Sequence, residues 1–225
     1  MRLAERAVRD GVQQFIFASS ASVYGVKDQD QITEDLPLEP VSDYNKTKMV
    51  AERVLLSYKD KMIVQILRPA TVCGVSPRMR LDTMVNTLTM QALKKKTITA
   101  HCGEHGGDLM RPNIHIDDVT DLYAWMLERP ALEGIYNAGF ENISALDTAK
   151  MIAKAVASNI IITKVKDKRS YRINSDKLLS TGFYPRRKVV DAIKDIVVEY
   201  KLGEIDDVDN AYNLRWMQQN GLVRV

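Results

Sequence analysis

Four residues, Phe15-Ile16-Phe17-Ala18, constrain this chain more than any other stretch. The run is short and apolar throughout, as expected of a parallel strand covered on both faces. It stops in small hydroxyl residues, Ser19, Ser20 and Ser22, followed by Tyr24-Gly25. Ligands gather at the carboxyl ends of open parallel sheets, so these hydroxyls are expected in a cleft. Beyond a loop containing Pro37 and Pro40, Ser42 is a good N-cap, and Val50, Ala51, Val54 and Leu55 keep a helical period. Tyr44 and Lys48 lie four apart on that helix and therefore share a face. A serine, a tyrosine and a lysine are offered to one cleft.

This trio suits proton transfer at an alcohol carbon. A phenol has a reference pKa of ~10, too high for a base at neutral pH. A neighbouring ammonium favours the phenolate and lowers that value. Tyr44 would take the hydroxyl proton while Ser20 holds the same oxygen as it becomes a carbonyl. The spacing is cheap, since Tyr184 to Lys188 repeats it; there, Gly182 and Pro185 argue against a helix.

In their order, these elements resemble the extended short-chain dehydrogenase/reductase family, in its nucleotide-sugar epimerase/dehydratase branch. That family carries Ser-Ser-x-x-Val-Tyr-Gly after a strand and then Tyr-x-x-x-Lys. The likeness continues in Leu67-Arg68-Pro69-Ala70-Thr71-Val72-Cys73-Gly74, where the family usually has Tyr in place of Cys73. It continues again in Arg111-Pro112-Asn113-Ile114-His115-Ile116-Asp117-Asp118-Val119, and more weakly in Leu179-Ser180-Thr181-Gly182-Phe183. It thus covers nearly the whole chain.

The resemblance implies an α/β fold, the C-terminal part of a Rossmann-like doubly wound parallel sheet plus a smaller α/β substrate lobe. Residues 1–75 would be the remaining half of the dinucleotide-binding domain. Residues 76–225 would form the substrate lobe and tail, interleaved with returning Rossmann elements at about 111–139. Ser20, Tyr44 and Lys48 take the catalytic roles. Ala18, Ser19, Tyr44, Lys48, Pro69, Ala70 and Val72 would meet the cofactor, which the resemblance implies is NAD, with NADP left open. Ser20, Ser22, Arg78, Arg80, Asn86, Arg111 and Arg169 would meet a nucleoside diphosphate sugar, with Arg111 and Arg169 paired on the diphosphate. No metal is implied; His101, Cys102, His105 and Asp108 match no zinc spacing well. The expected outcome is epimerisation, at C4, through a transient ketone. Net dehydrogenation or reduction is the alternative within the family. The 4,6-dehydratase outcome is disfavoured, because its Asp-Glu pair is Ala21-Ser22 here. A non-catalytic binding protein on the same fold is the competing class.

The family's glycine-rich loop, which meets the cofactor pyrophosphate at a helix N-terminus, does not occur in these 225 residues. Gly103, Gly106 and Gly107 sit in a later turn. The chain therefore reads as an N-terminally truncated copy, inactive by itself, or else as a natural short form that holds no cofactor.

Composition narrows the partners. A net charge of +3, with no basic patch interleaved with aromatics, argues against nucleic acid. No apolar run approaches the ~20 residues of a membrane span, and no secretory signal is visible. Two cysteines make no disulfide framework, so a soluble, cytoplasmic protein is expected. By resemblance it would be a homodimer, paired through helices flanking the site.

Further elements follow from pattern. Helices are expected from Met1 to Asp10, from Ser76 through Ala92, from Thr120 to Glu128 capped by Asp117-Asp118-Val119, after Ser144, and from Val189 to Tyr200. Strands are expected at 62–67, 98–100 and 135–138.

Overall fold

The computed structural model describes residues 1–27, 29–107, 109–166 and 170–222. Helix α1 (Arg2–Arg9) leads into strand β1 (Gln14–Ala18), and α2 (Asp43–Leu56) crosses to β2 (Ile63–Pro69). β1 pairs in parallel with β2, Phe17 opposite Ile66, and β2 pairs in parallel with β6 (Gly134–Ala138). Successive side chains of a strand point to opposite faces. Phe15 and Phe17 accordingly pack with Ala4, Ala7, Leu55, Val64 and Ile66 beneath α1 and α2. Ile16 and Leu67 go the other way, to Leu122, Met126 and Leu178 on α4 (Ile116–Leu127) and α6 (Asp176–Leu179). Helices thus cover both faces of a parallel sheet, the expected doubly wound α/β arrangement. Because β1 and β2 run the same way, their carboxyl ends open on one rim.

The rest of the chain builds a smaller α/β unit. β3 (Thr71–Cys73) pairs in parallel with β5 (Met110–His115), which pairs antiparallel with β7 (Glu141–Ser144). β4 (Thr97–Gly103) pairs in parallel with β8 (Asn159–Val165). Around them α3 (Met84–Lys95), α5 (Ala145–Val156) and α7 (Val189–Leu202) close a core of Val85, Leu88, Ile98, Ile152 and Ile193. Each such side chain, fully buried, contributes about 1.5–3 kcal/mol.

The local signals at Ser42, Ser144 and Gly203 act as expected. Ser42 Oγ accepts from Asn45 N at 3.2 Å, Ser144 Oγ accepts from Asp147 N at 3.0 Å, and Gly203 ends α7 at φ +79°. Residues 183–188 form no helix, so the second Tyr-x-x-x-Lys is a loop. Two expectations shift. α4 begins at Ile116 rather than Thr120, because the His115 ring caps it, Nδ1 accepting from Asp117 N at 3.1 Å. Asp118, buried, instead accepts from the backbone N–H groups of Arg186 and Arg187 at 2.8 and 3.2 Å. Residues 76–82 are loop, and α3 starts only at Met84.

The C-terminal segment docks on the chain itself. Leu81 N donates to Ala211 O at 2.9 Å, and Ala211 packs with Leu81, Met90 and Ile196. The last helix, α8 (Asn213–Gln219), leaves Leu214 and Trp216 exposed. Among the described residues, no helix is long and apolar enough to cross a membrane.

Candidate active site

The rim at the ends of β1 and β2 gathers the expected trio. β1 ends at Ala18, and the chain turns sharply through a single 3-10 turn, Ala21–Tyr24. Ser20 caps that turn, its Oγ accepting from Ser22 N at 3.3 Å and lying 2.8 Å from Ser22 Oγ. Ser22 Oγ in turn donates to Asn45 Oδ1 at 2.7 Å. The serine turn is therefore bonded directly to the first turn of α2. Tyr44, beside Asn45, is 56% exposed. One turn later, Lys48 Nζ donates to the Ala18 carbonyl at 2.7 Å and sits 5.7 Å from the centre of the Tyr44 ring and 5.1 Å from that of Phe17. Partial burial against these rings lowers the Lys48 pKa from the ordinary lysine value. Chemically, this is an open phenol with a cation beside it and a hydroxyl across the turn.

Beneath the rim lies a polar network that the reading of the sequence did not find. Glu52, one turn beyond Lys48, forks onto Arg68 of β2, with Oε2 at 2.6 Å from Nη2 and Oε1 at 3.0 Å from Nε. Ser19 Oγ donates to the same Glu52 Oε1. Arg68 Nη1 donates to Tyr24 Oη at 2.7 Å, and Tyr24 donates to Asn137 Oδ1 of β6 at 2.8 Å. Desolvation opposes the Arg68 charge, but the Glu52 and Tyr24 contacts outweigh it and its pKa is raised. Burial raises the Tyr24 phenol, partly offset by Arg68. The signal was present: Tyr44, Lys48 and Glu52 recur at intervals of four, one face of one helix.

A second cavity, of about 720 Å³, lies between α3, β4 and β5. Arg111 lines it together with Gln91, Thr99, His101 and Lys166. His101 Nδ1 is 2.6 Å from Thr163 Oγ1, Gln91 accepts from Thr99 N at 3.0 Å, and Arg111 donates to the Met110 carbonyl at 3.0 Å. Of these five residues, the sequence reading singled out Arg111 for the ligand; Gln91 comes from α3, Thr99 and His101 from β4, and Lys166 from just beyond β8, which pairs with β4 across a long separation.

Residues 1–139 match the NAD dependent epimerase/dehydratase family. The chain belongs to that family. It is 34% identical over 155 residues to an uncharacterized UDP-glucose epimerase, YtcB, of Bacillus subtilis, covering 67% of this chain and 47% of that protein. It is 26% identical over 217 residues to the mouse dTDP-D-glucose 4,6-dehydratase, covering 88% of this chain and 59% of that one. Among solved structures, UDP-glucuronic acid 4-epimerase from Bacillus cereus, in complex with UDP-glucuronic acid and NAD, superimposes with a TM-score of 0.77 at 27% identity. That match covers 89% of this chain and 66% of the other. The chain thus spans about half the length of the B. subtilis relative and rather more of the mouse one.

In this epimerase/dehydratase chain the remaining expected residues fall into two groups. Pro69 ends β2 on the same rim as Ala18, Ala70 follows with its N–H donating to Ala138 O at 2.8 Å, and Val72 lies in β3. Ser19, 4% exposed, turns its hydroxyl inward to Glu52. The second group makes contacts within the protein. Arg78 donates to Asn210 O and Asn213 Oδ1 at 3.2 and 2.9 Å, and Arg80 pairs with Asp82 at 2.9 Å. Asn86 is buried and spends its amide on Gly74 and Arg80, which is what holds the loop before α3. Arg169 lies outside the described residues, as does Asp108. One His–Asp–Asp cluster, His115, Asp117 and Asp195, brings its ligand atoms within 4.8 Å, but Arg187 pairs with both carboxylates and already meets their charge.

Proposed function

We propose that this chain carries the catalytic side chains and part of the substrate site of a nucleotide-sugar 4-epimerase. One observation carries the reading: Tyr44 and Lys48 stand a turn apart on the open face of α2, with Lys48 pinned to Ala18 and the Ser20 turn bonded to the same helix. Tyr44 takes the proton of the sugar hydroxyl. Lys48 holds Tyr44 as the phenolate that accepts this proton, and Ser20 donates to the sugar oxygen as it becomes a ketone. After the sugar turns over, return of the hydride to the opposite face of the ketone, with return of the proton to its oxygen, gives the epimer. When bound, NAD supplies the acceptor for the hydride that leaves the same carbon. The residues of the rim fit its nicotinamide end, with Ala18, Pro69, Ala70 and Val72 beside Tyr44 and Lys48, whereas the buried Ser19 hydroxyl is taken by Glu52.

Arg111, with Lys166 in the same cavity, offers cationic groups to a diphosphate, a role suited to the guanidinium fork, and His101 lines the same space. The complexes of the similar B. cereus epimerase with UDP-glucuronic acid and NAD support this ligand pair. The division into residues 1–75 for cofactor chemistry and 76–225 for substrate belongs to the same proposal. So does a homodimer, supported by an apolar groove of about 460 Å³ in which Leu3 and Val50 lie exposed beside Phe15 and Phe17. Two free cysteines, both buried, support a reducing, cytoplasmic setting. Elimination of water is not favoured, because Ala21 is buried and Ser22 is committed to Asn45.

The test is calorimetric titration with UDP-glucose and UDP-glucuronic acid, followed by NMR of the sugar after incubation with millimolar NAD. Binding and a C4 epimer that disappears in Tyr44→Phe are expected. A keto product with stoichiometric NADH would make it a dehydrogenase. Binding without turnover would favour the non-catalytic class, and no binding of either sugar nucleotide would sink the proposal.

A further inference from the structure

We propose that Glu52 is the positioning residue of this site: its one buried carboxylate sets the rotation of the helix bearing Tyr44 and Lys48 against the serine turn. The inference rests on the reading of Tyr44 and Lys48 given above. Glu52, Arg68 and Ser19 are 1%, 2% and 4% exposed, so all three are withdrawn from solvent and none is available to a ligand. Their geometry makes two ties between α2 and the end of β1. Lys48 holds the Ala18 carbonyl, and Glu52, four residues on, holds the adjacent Ser19 hydroxyl. Residues four apart on a helix project from nearly the same line. One tie would leave the helix free to pivot about it; two, stacked along the axis, fix both rotation and rise. Tyr44, four residues before Lys48 and 56% exposed, inherits that orientation.

The Arg68 fork adds a third tie, to β2, and Tyr24 carries it to Asn137 on β6. The three parallel strands and the helix are thus registered through one carboxylate. Stability alone does not account for it. A buried ion pair is often matched or bettered by apolar side chains of the same volume. What apolar side chains cannot supply is a direction, which two charge-assisted bonds and a hydroxyl bond impose together.

The test needs no turnover. Pulse acetylation of the 225-residue chain across a pH series, followed by peptide mass spectrometry, gives the midpoint of reactivity of Lys48, with Lys46 on the same helix as control. In Glu52→Leu, which offers Ser19 no acceptor, a helix released from Ser19 lets Lys48 leave the Ala18 carbonyl for water, and its midpoint moves up while that of Lys46 stays. Pure loss of the carboxylate charge, leaving Arg68 unmatched, would move it down. The signs therefore separate repositioning from electrostatics. An unmoved or lowered Lys48 midpoint in a folded variant overturns the proposal. Should Glu52→Leu fail to fold, the double variant Glu52→Leu/Arg68→Met removes both buried charges, and Ser19→Ala cuts the β1 tie while keeping the ion pair; the same upward shift is required of each. A correct shift in a chain that binds no sugar nucleotide would count against the epimerase reading and leave Glu52's role standing.

Discussion

Lys48 Nζ donates to the carbonyl oxygen of Ala18 at 2.7 Å, across thirty residues of chain. That bond fastens the exposed side of α2 to the end of the strand on which the serine turn begins. It also sets the ammonium 5.7 Å from the centre of the Tyr44 ring.

Removing only the phenolic oxygen should separate chemistry from folding. Tyr44 is half exposed, so Tyr44→Phe should change stability by no more than about 0.5 kcal/mol. Product formation should fall roughly 10²–10⁴-fold, the range for loss of a general acid–base group. Thermal melts and the NMR product assay, run on the same preparation, check both halves.

Arg111 should act on the diphosphate and not on the sugar. Arg111→Ala should weaken UDP-glucose binding by about 1.5–3 kcal/mol, the scale of a hydrogen bond to a charged group. Glucose itself should bind no differently. Calorimetry with UDP-glucose, UDP and glucose measures the contrast; equal losses for all three would remove Arg111 from the diphosphate.

Gly25 ends the serine turn at φ +75°, and a Cβ there would fall 2.0 Å from the Glu39 carbonyl oxygen. Both backbone strain and a backbone clash oppose any side chain. Gly25→Ala should therefore cost at least about 1–3 kcal/mol, more than a solvent-exposed positive-φ site would. Urea denaturation gives the number, and a neutral result would show that the loop at Glu39 yields freely.

Cys73 gives a pH dependence. Burial, with smaller help from Glu141 and Asp118, pushes its thiol up from 9.0 to about 12. The native state therefore keeps a proton that the unfolded chain releases above pH 9. The associated stability is intact below pH 9 and declines as pH climbs toward 12, by up to ~1.4 kcal/mol per pH unit. Cys73→Ala should flatten that decline, read from urea midpoints between pH 8.5 and 10.5. The native thiol should also resist iodoacetamide at pH 8.

Much of the site was legible because its signals are local. A strand that ends in hydroxyls, Ser42 as a cap and a four-residue interval are written in neighbouring residues, and they suffice to put Ser20, Tyr44 and Lys48 on one rim. Helix boundaries failed where the deciding side chain was an unexpected cap or reached back from a later turn. α4 starts early because the imidazole of His115 caps it, and residues 76–82 stay unwound because Asn86 reaches back to Gly74 and Arg80.

By itself the sequence determined the alternation of strand and helix and the face of α2 that carries Tyr44 and Lys48, since each follows from periodicity and capping within a few turns of chain; the doubly wound sheet was implied by the family resemblance. The tertiary structure alone decided which polar groups meet. Glu52 and Arg68 are sixteen residues apart, and Tyr24 and Asn137 one hundred and thirteen. Burial of one charge obliges a partner to be found, but periodicity does not say which residue the fold will deliver. Arg78 shows the converse: an arginine suited to a phosphate is given instead to the C-terminal segment, because that segment folds back across it.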